Sequence, residues 1–147
     1  MKTNILLLPL LFVCLHGYAQ NGSAPVKICP DSLKWNAAKP PMPPGAEVTV
    51  IEGDPKSAGH FTIRIKLPAH YKLPPHTHPV DERTTVISGS ISIGMGEVMD
   101  TVNARRMTAG CFYLNPANAA HYAFTNETET IVQVSTNGPW GSQLIGK

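Results

Sequence analysis

No run of basic residues in this chain is longer than the pair Arg105-Arg106. A nucleic-acid or anionic-membrane surface needs a patch or stripe of lysine and arginine, and two arginines in a turn do not supply one. Charged residues make up only 15% of the sequence and the formal net charge is +2, so no strong field of either sign is present. Long apolar runs are equally scarce. Ile5 to Leu15 form the one such run, about a dozen residues, too short to span a bilayer. It follows Lys2 and precedes the small residues Gly17 and Ala19, which predicts a secretory signal over residues 1–19 and an exported, periplasmic or secreted, product. Cysteine is rare as well. Of the 3 present, Cys29 and Cys111 remain after cleavage. They allow at most one disulfide; the other reading makes Cys111 a small apolar packing residue and leaves Cys29 in a loose arm. Phosphate-binding loops, nucleotide motifs and nucleophile elbows are missing, and Ser88 and Ser90 lack the base and orienting group of a catalytic triad.

Removing residues 1–19 leaves 128 of the 147 residues and takes the net charge to +1 with the loss of Lys2. That length suits one domain with a modest core. Residues 20–44 are rich in proline and small polar residues; Pro40, Pro41, Pro43 and Pro44 exclude helix and central strand there. They predict an extended N-terminal arm, with Trp35 as its anchor. From residue 45 to 147 the pattern changes to short β-type runs. "HFTIRIKL" alternates strictly, Phe61, Ile63, Ile65 and Leu67 on one face and Thr62, Arg64 and Lys66 on the other. "EVTVIEG", "RTTVISG", "SISIGMG", "CFYLNP", "HYAFTN" and "TIVQVST" are further strand candidates separated by Gly, Pro and Asn. Only "EVMDTVNARRM", residues 97–107, offers a weak helical face through Val98, Met99 and Val102. An all-β sandwich or barrel with at most one short helix is therefore expected, and periodicity alone does not choose its topology.

The chemistry concentrates in "PPHTHPVDE", residues 74–82. On a strand His76 and His78 share a face, and Glu82 has the same parity. Two imidazoles and a carboxylate are suitable ligands for a first-row metal; the plain alternative is a polar loop facing water. His121 follows a strand, an Asn115-Pro116 turn and a return strand, which can bring it beside the earlier pair. His60 and His70 lack this context and are read as ordinary surface or core histidines.

Residues 76–89, "HTHPVDERTTVISG", resemble the first cupin motif: His-x-His, three residues, Glu, six residues, Gly. Residues 110–121, "GCFYLNPANAAH", resemble the second, with Asn118 where the family most often has Gly; Asn also tolerates the left-handed turn. The resemblance covers roughly residues 45–145. It implies a cupin-type jelly-roll β-barrel in which His76, His78, Glu82 and His121 bind one divalent metal: Fe, Mn, Ni, Zn, Co or Cu. It implies a small-molecule ligand or substrate, and no nucleic acid or membrane partner after signal cleavage. The arm has two candidate roles, strand exchange in a homodimer or closure over its own barrel. Cupin activities of the oxygenase or isomerase type are one expectation, and a non-catalytic ligand- or metal-sensing module is the other. A storage role fits poorly with a retained ligand set. Phe112, Leu114, Tyr122, Phe124 and Trp140 are candidate pocket residues. Arg64 is a candidate anion contact, Arg83 is expected to face away, and Asp81 is expected to organise a turn.

Overall fold

The computed structural model describes residues 25–146; the expected signal segment lies outside them. Eleven strands follow in chain order: β1 (Asn36–Ala37), β2 (Glu47–Glu52), β3 (Gly59–Leu67), β4 (Lys72–Thr77), β5 (Glu82–Ser88), β6 (Ser90–Met95), β7 (Arg105–Thr108), β8 (Phe112–Asn115), β9 (His121–Thr125), β10 (Thr130–Gly138) and β11 (Gln143–Leu144). They form a six-stranded sheet, β1-β2-β3-β10-β5-β8, and a five-stranded sheet, β11-β4-β9-β6-β7. Every pairing is antiparallel. Among the described residues the only helical element is a single 3₁₀ turn, Pro30–Ser32.

The alternation in β3 does what its period requires. Phe61, Ile63, Ile65 and Leu67 are buried, and with Val86, Ile91, Ala123, Val132 and Val134 they form the core between the sheets. Arg64 lies on the outer face, where its Nε donates to Gln133 Oε1 at 3.0 Å, so it contacts no interior ligand. Residues 97–104 form a loop, not a helix. Asp100 Oδ1 accepts the N–H groups of Val102 and Asn103 at 2.9 and 3.1 Å, closing a turn, and Val98 and Val102 are exposed. A side-chain acceptor that satisfies local N–H groups competes with the helix, and the weak apolar face had nothing to pack on.

Part of the arm joins the sheet. β1 pairs with β2, and the Lys66 ammonium sits 4.4 Å from the centre of the Trp35 ring, which anchors the arm as a cation–π contact. Cys29 and Cys111 are free thiols. The motif glycine Gly89 has φ +73°, and a Cβ there would meet the Glu129 carbonyl oxygen at 2.3 Å. The β5–β6 corner therefore needs glycine for conformation and for space. Asn118 adopts φ +60°, so the substitution in the second motif preserves the left-handed turn.

Candidate metal centre

β4 carries Pro74 and Pro75, which have no N–H to give a ladder. The strand accommodates them in a bulge: Leu73 pairs with Ala123 and the next partner pair is His76 with His121, three steps on β4 against two on β9. The bulge sets His76 directly opposite His121, on the inward face. Glu82 arrives from the other sheet at the start of β5, opposite Asn115 of β8. His78 lies one residue past the end of β4. All four predicted ligand residues are buried: His76 1% exposed, His78 3%, Glu82 8% and His121 2%.

The three imidazoles converge. Ring centres are 4.3 Å apart for His76 and His121, 4.9 Å for His76 and His78, and 5.2 Å for His78 and His121. One ligand atom from each lies within 4.8 Å of the others. The tautomers follow from the partners of Nδ1. His76 Nδ1 faces the Pro74 carbonyl at 2.7 Å, His78 Nδ1 the Gly141 carbonyl at 2.7 Å, and His121 Nδ1 the Ala119 carbonyl at 2.9 Å. A carbonyl can only accept, so each Nδ1 carries the proton and each neutral ring keeps its lone pair on Nε2. Backbone carbonyls behind ligating imidazoles fix ring orientation in this way in metal sites.

Glu82 completes the cluster. Its Oε2 lies 3.2 Å from His121 Nε2 and 3.7 Å from His78 Nε2, and it accepts the Asn115 Nδ2–H at 2.7 Å. In the neutral ring His121 Nε2 is a buried acceptor with no donor facing it; only a protonated ring could hydrogen-bond the Glu82 carboxylate. A buried, unpaired nitrogen beside a carboxylate and two further imidazoles is a donor set that fits a divalent transition metal. The His76–His78–His121 group could hold such an ion.

Burial and mutual charge set the protonation. Burial, then the charge of His121, push His76 down to about 4 from its ordinary 6.5, and burial also lowers His78. Burial would lower His121 too, but the Glu82 carboxylate outweighs it and raises that pKa. Burial opposes ionisation of Glu82, yet His121, His78 and Asn115 together hold it at about 2. Above pH 6.5 a metal ion therefore displaces a proton chiefly from His121, while His76 and His78, both lowered by burial, are mostly free bases already. Below the raised His121 pKa, affinity should climb about tenfold per pH unit; above it, the curve should flatten. Calorimetry above pH 6.5 in two buffers of different ionisation enthalpy should register no more than about one proton released per ion. Release of two or more would place a second imidazole in the charged state and contradict the assignment.

A cavity of ≈ 30 Å³ adjoins His76, Glu82 and His121, with Tyr113 and Asn115 beside them and Ile, Leu and Val side chains beyond. Tyr113 and Asn115 were not foreseen; Phe112 and Leu114 were, and these are exposed at 57% and 41%. The error is one of parity. Glu82 pairs with Asn115 and Thr84 with Tyr113, so the odd residues of β8 point inward. Burial and the nearby charge of Glu82 push the Tyr113 hydroxyl well above its ordinary 10, so it keeps its proton. Tyr122 is buried but donates to the Asp100 carbonyl at 2.9 Å, outside the cavity, and Phe124 does not line it either. Trp140 does belong to the site: its ring stacks on His78 at 4.7 Å and 17° and packs on Phe61 at 6.0 Å. Arg83 pairs with Asp81 at 2.9 Å and faces away from the ligands. Asp81 Oδ1 accepts the Ala117 N–H at 3.0 Å, which ties the loop of the second motif to the first. His60 and His70 are exposed and lie beside Glu52 and Glu127.

A family model described as a domain of unknown function, DUF4437, matches residues 31–141. The chain belongs to this family. Comparison with curated proteins gives no match. The solved structures most like this DUF4437 chain include the polyketide cyclase RemF from Streptomyces resistomycificus, at TM-score 0.66 and 13% identity over 82% of this chain and 87% of that one. KdgF from Halomonas sp. superposes at TM-score 0.58 with 17% identity, over 74% of this chain and 89% of that one. An RmlC-like cupin from Shewanella frigidimarina NCIMB 400 gives TM-score 0.59 and 13% identity, over 78% and 91%. The DUF4437 chain thus has the cupin fold. Identities this low carry the fold and leave the reaction to the residues of the site.

Proposed function

We propose that His76, His78, Glu82 and His121 together hold one divalent transition metal, that the protein is exported, and that it is a small metal-dependent enzyme of the oxygenase or isomerase type. The reading rests on one observation above the others: three buried imidazoles with carbonyl-fixed Nδ1 protons converge beside a buried carboxylate. When bound, the metal would supply Lewis-acid or redox chemistry. The chain's own groups have separable tasks. Asn115 orients the Glu82 carboxylate through its 2.7 Å hydrogen bond. Tyr113, protonated and beside the cavity, can donate to an oxygen of a bound molecule. The apolar far wall excludes water from the reacting end.

A second reading is a non-catalytic module that binds a small ligand or senses the metal. The size of the cavity, ≈ 30 Å³, favours it, because that volume holds little more than a water molecule. The two separate experimentally. The protein is loaded anaerobically with Fe(II), Mn(II), Co(II), Ni(II), Cu(II) or Zn(II) and offered small phenols, diketones and organic acids. Turnover, with oxygen uptake in the oxygenase case and loss in Glu82→Ala, supports the enzyme. Melting shifts without turnover support the binding module. Failure of every metal to bind would overturn both.

A further inference from the structure

The strap that joins β1 to β2 runs beside the cavity next to the ligands, and Met42 of the strap lines it. Ala38 N–H donates to the Ala46 carbonyl at 2.8 Å, which draws the ends of the strap together. Met42 N–H donates to the Lys39 carbonyl at 3.2 Å, folding a turn at its tip. The Tyr71 hydroxyl donates to the Pro43 carbonyl at 2.6 Å, and the Tyr71 N–H is itself held by Thr125 Oγ1 at 2.9 Å. The strap is therefore hung from the end of β9, next to Met42.

Two grooves of ≈ 430 and ≈ 880 Å³ lie on the outer side of this strap. Met42 lines both, and it also lines the inner cavity; no other residue is shared between the cavity and either groove. One half-buried thioether is thus the partition between the ligand cluster and the surface. Methionine is unbranched, with three rotatable bonds, so it can turn away and join the ≈ 30 Å³ cavity to a groove, making room for more than a water molecule, while the proline-stiffened backbone stays tied.

The lining of the cavity selects what would pass. Three neutral imidazoles and one carboxylate around a divalent ion leave one positive charge, and among the described residues Glu82 is the only acidic one lining the cavity. Lysine and arginine are absent from its walls. The uncompensated charge favours an anion, and the Ile, Leu and Val wall favours an apolar body attached to it. We propose that Met42 is the gate and size filter of the metal centre, through which a small oxygen-donor monoanion with an apolar body reaches the ion. This rests on the metal-binding reading above.

The test uses the full mature chain loaded with Co(II), whose visible spectrum reports ligand exchange at the ion. Azide, acetate, butyrate and hexanoate are titrated, and mixed by stopped flow, against wild type, Met42→Leu and Met42→Ala. Azide should enter all three proteins alike. Hexanoate should associate roughly tenfold or more faster with Met42→Ala than with wild type, with Met42→Leu, close in volume, near wild type. Equal ratios across the series in all three proteins would overturn the gate while leaving the metal centre standing. A wild type that gives no Co(II) spectrum at all would overturn the metal centre and the gate with it.

Discussion

With the proposed metal centre, His121→Ala should lower metal affinity by at least about 100-fold, since even groups that only orient ligands cost 10- to 100-fold when removed. His121 is the ligand that makes the site three-dimensional. His76 and His78 come from one short stretch, and Glu82 from the adjoining strand; His121 is brought to them only by the β4–β9 pairing. Its loss removes the Nε2 that lies 3.2 Å from Glu82. It leaves the Glu82 carboxylate buried with the Asn115 amide at 2.7 Å and His78 Nε2 at 3.7 Å, so the apoprotein should also melt lower. Competition against a chromophoric chelator measures the affinity. His60→Ala and His70→Ala are the controls: both imidazoles are exposed and lie outside the cluster, and both variants should bind like wild type. An unchanged affinity in His121→Ala would place the metal elsewhere.

Phe61→Ala should cost about 3–5 kcal/mol and lower the melting temperature by roughly 15 °C, because no collapse of neighbouring chains can refill a site closed by two sheets. Phe61 is 0% exposed. Its ring also props Trp140, which in turn stacks on His78. The cavity therefore opens behind a ligand-supporting surface, and metal affinity should fall as well, by less than in His121→Ala. Phe112→Ala is the matched comparison: at 57% exposure it should change stability by no more than about 0.5 kcal/mol. Thermal and urea melts of the two variants against wild type measure both effects.

These two expectations were open to the sequence to different degrees. The convergence of His76, His78, Glu82 and His121 was legible because their spacing is chemical: His-x-His, a carboxylate at matching parity and a later histidine after a return strand. Phe61 was legible because strict alternation over residues 60–67 marks a strand with one buried face. Tyr113 and Asn115 were not, since a strand flanked by apolar residues on both parities does not declare which side is inward. The β5–β8 register decides it, and register is a tertiary fact. Met42 was hidden for a related reason. It sits among four prolines that signal only an extended arm, and its meaning comes from where Tyr71, far along the chain, holds the neighbouring carbonyl. Residues 97–107 misled in the opposite direction, since their helical face was real but had no surface to bury itself on.

X-ray absorption at the metal edge of the loaded protein lacking residues 1–19 bears most directly on the ion and its shell. Imidazole rings give a distinctive multiple-scattering pattern, and the site described here requires that of three rings together with a carboxylate oxygen. A shell of oxygen donors with one imidazole or none would mean that His76, His78 and His121 meet for some other reason.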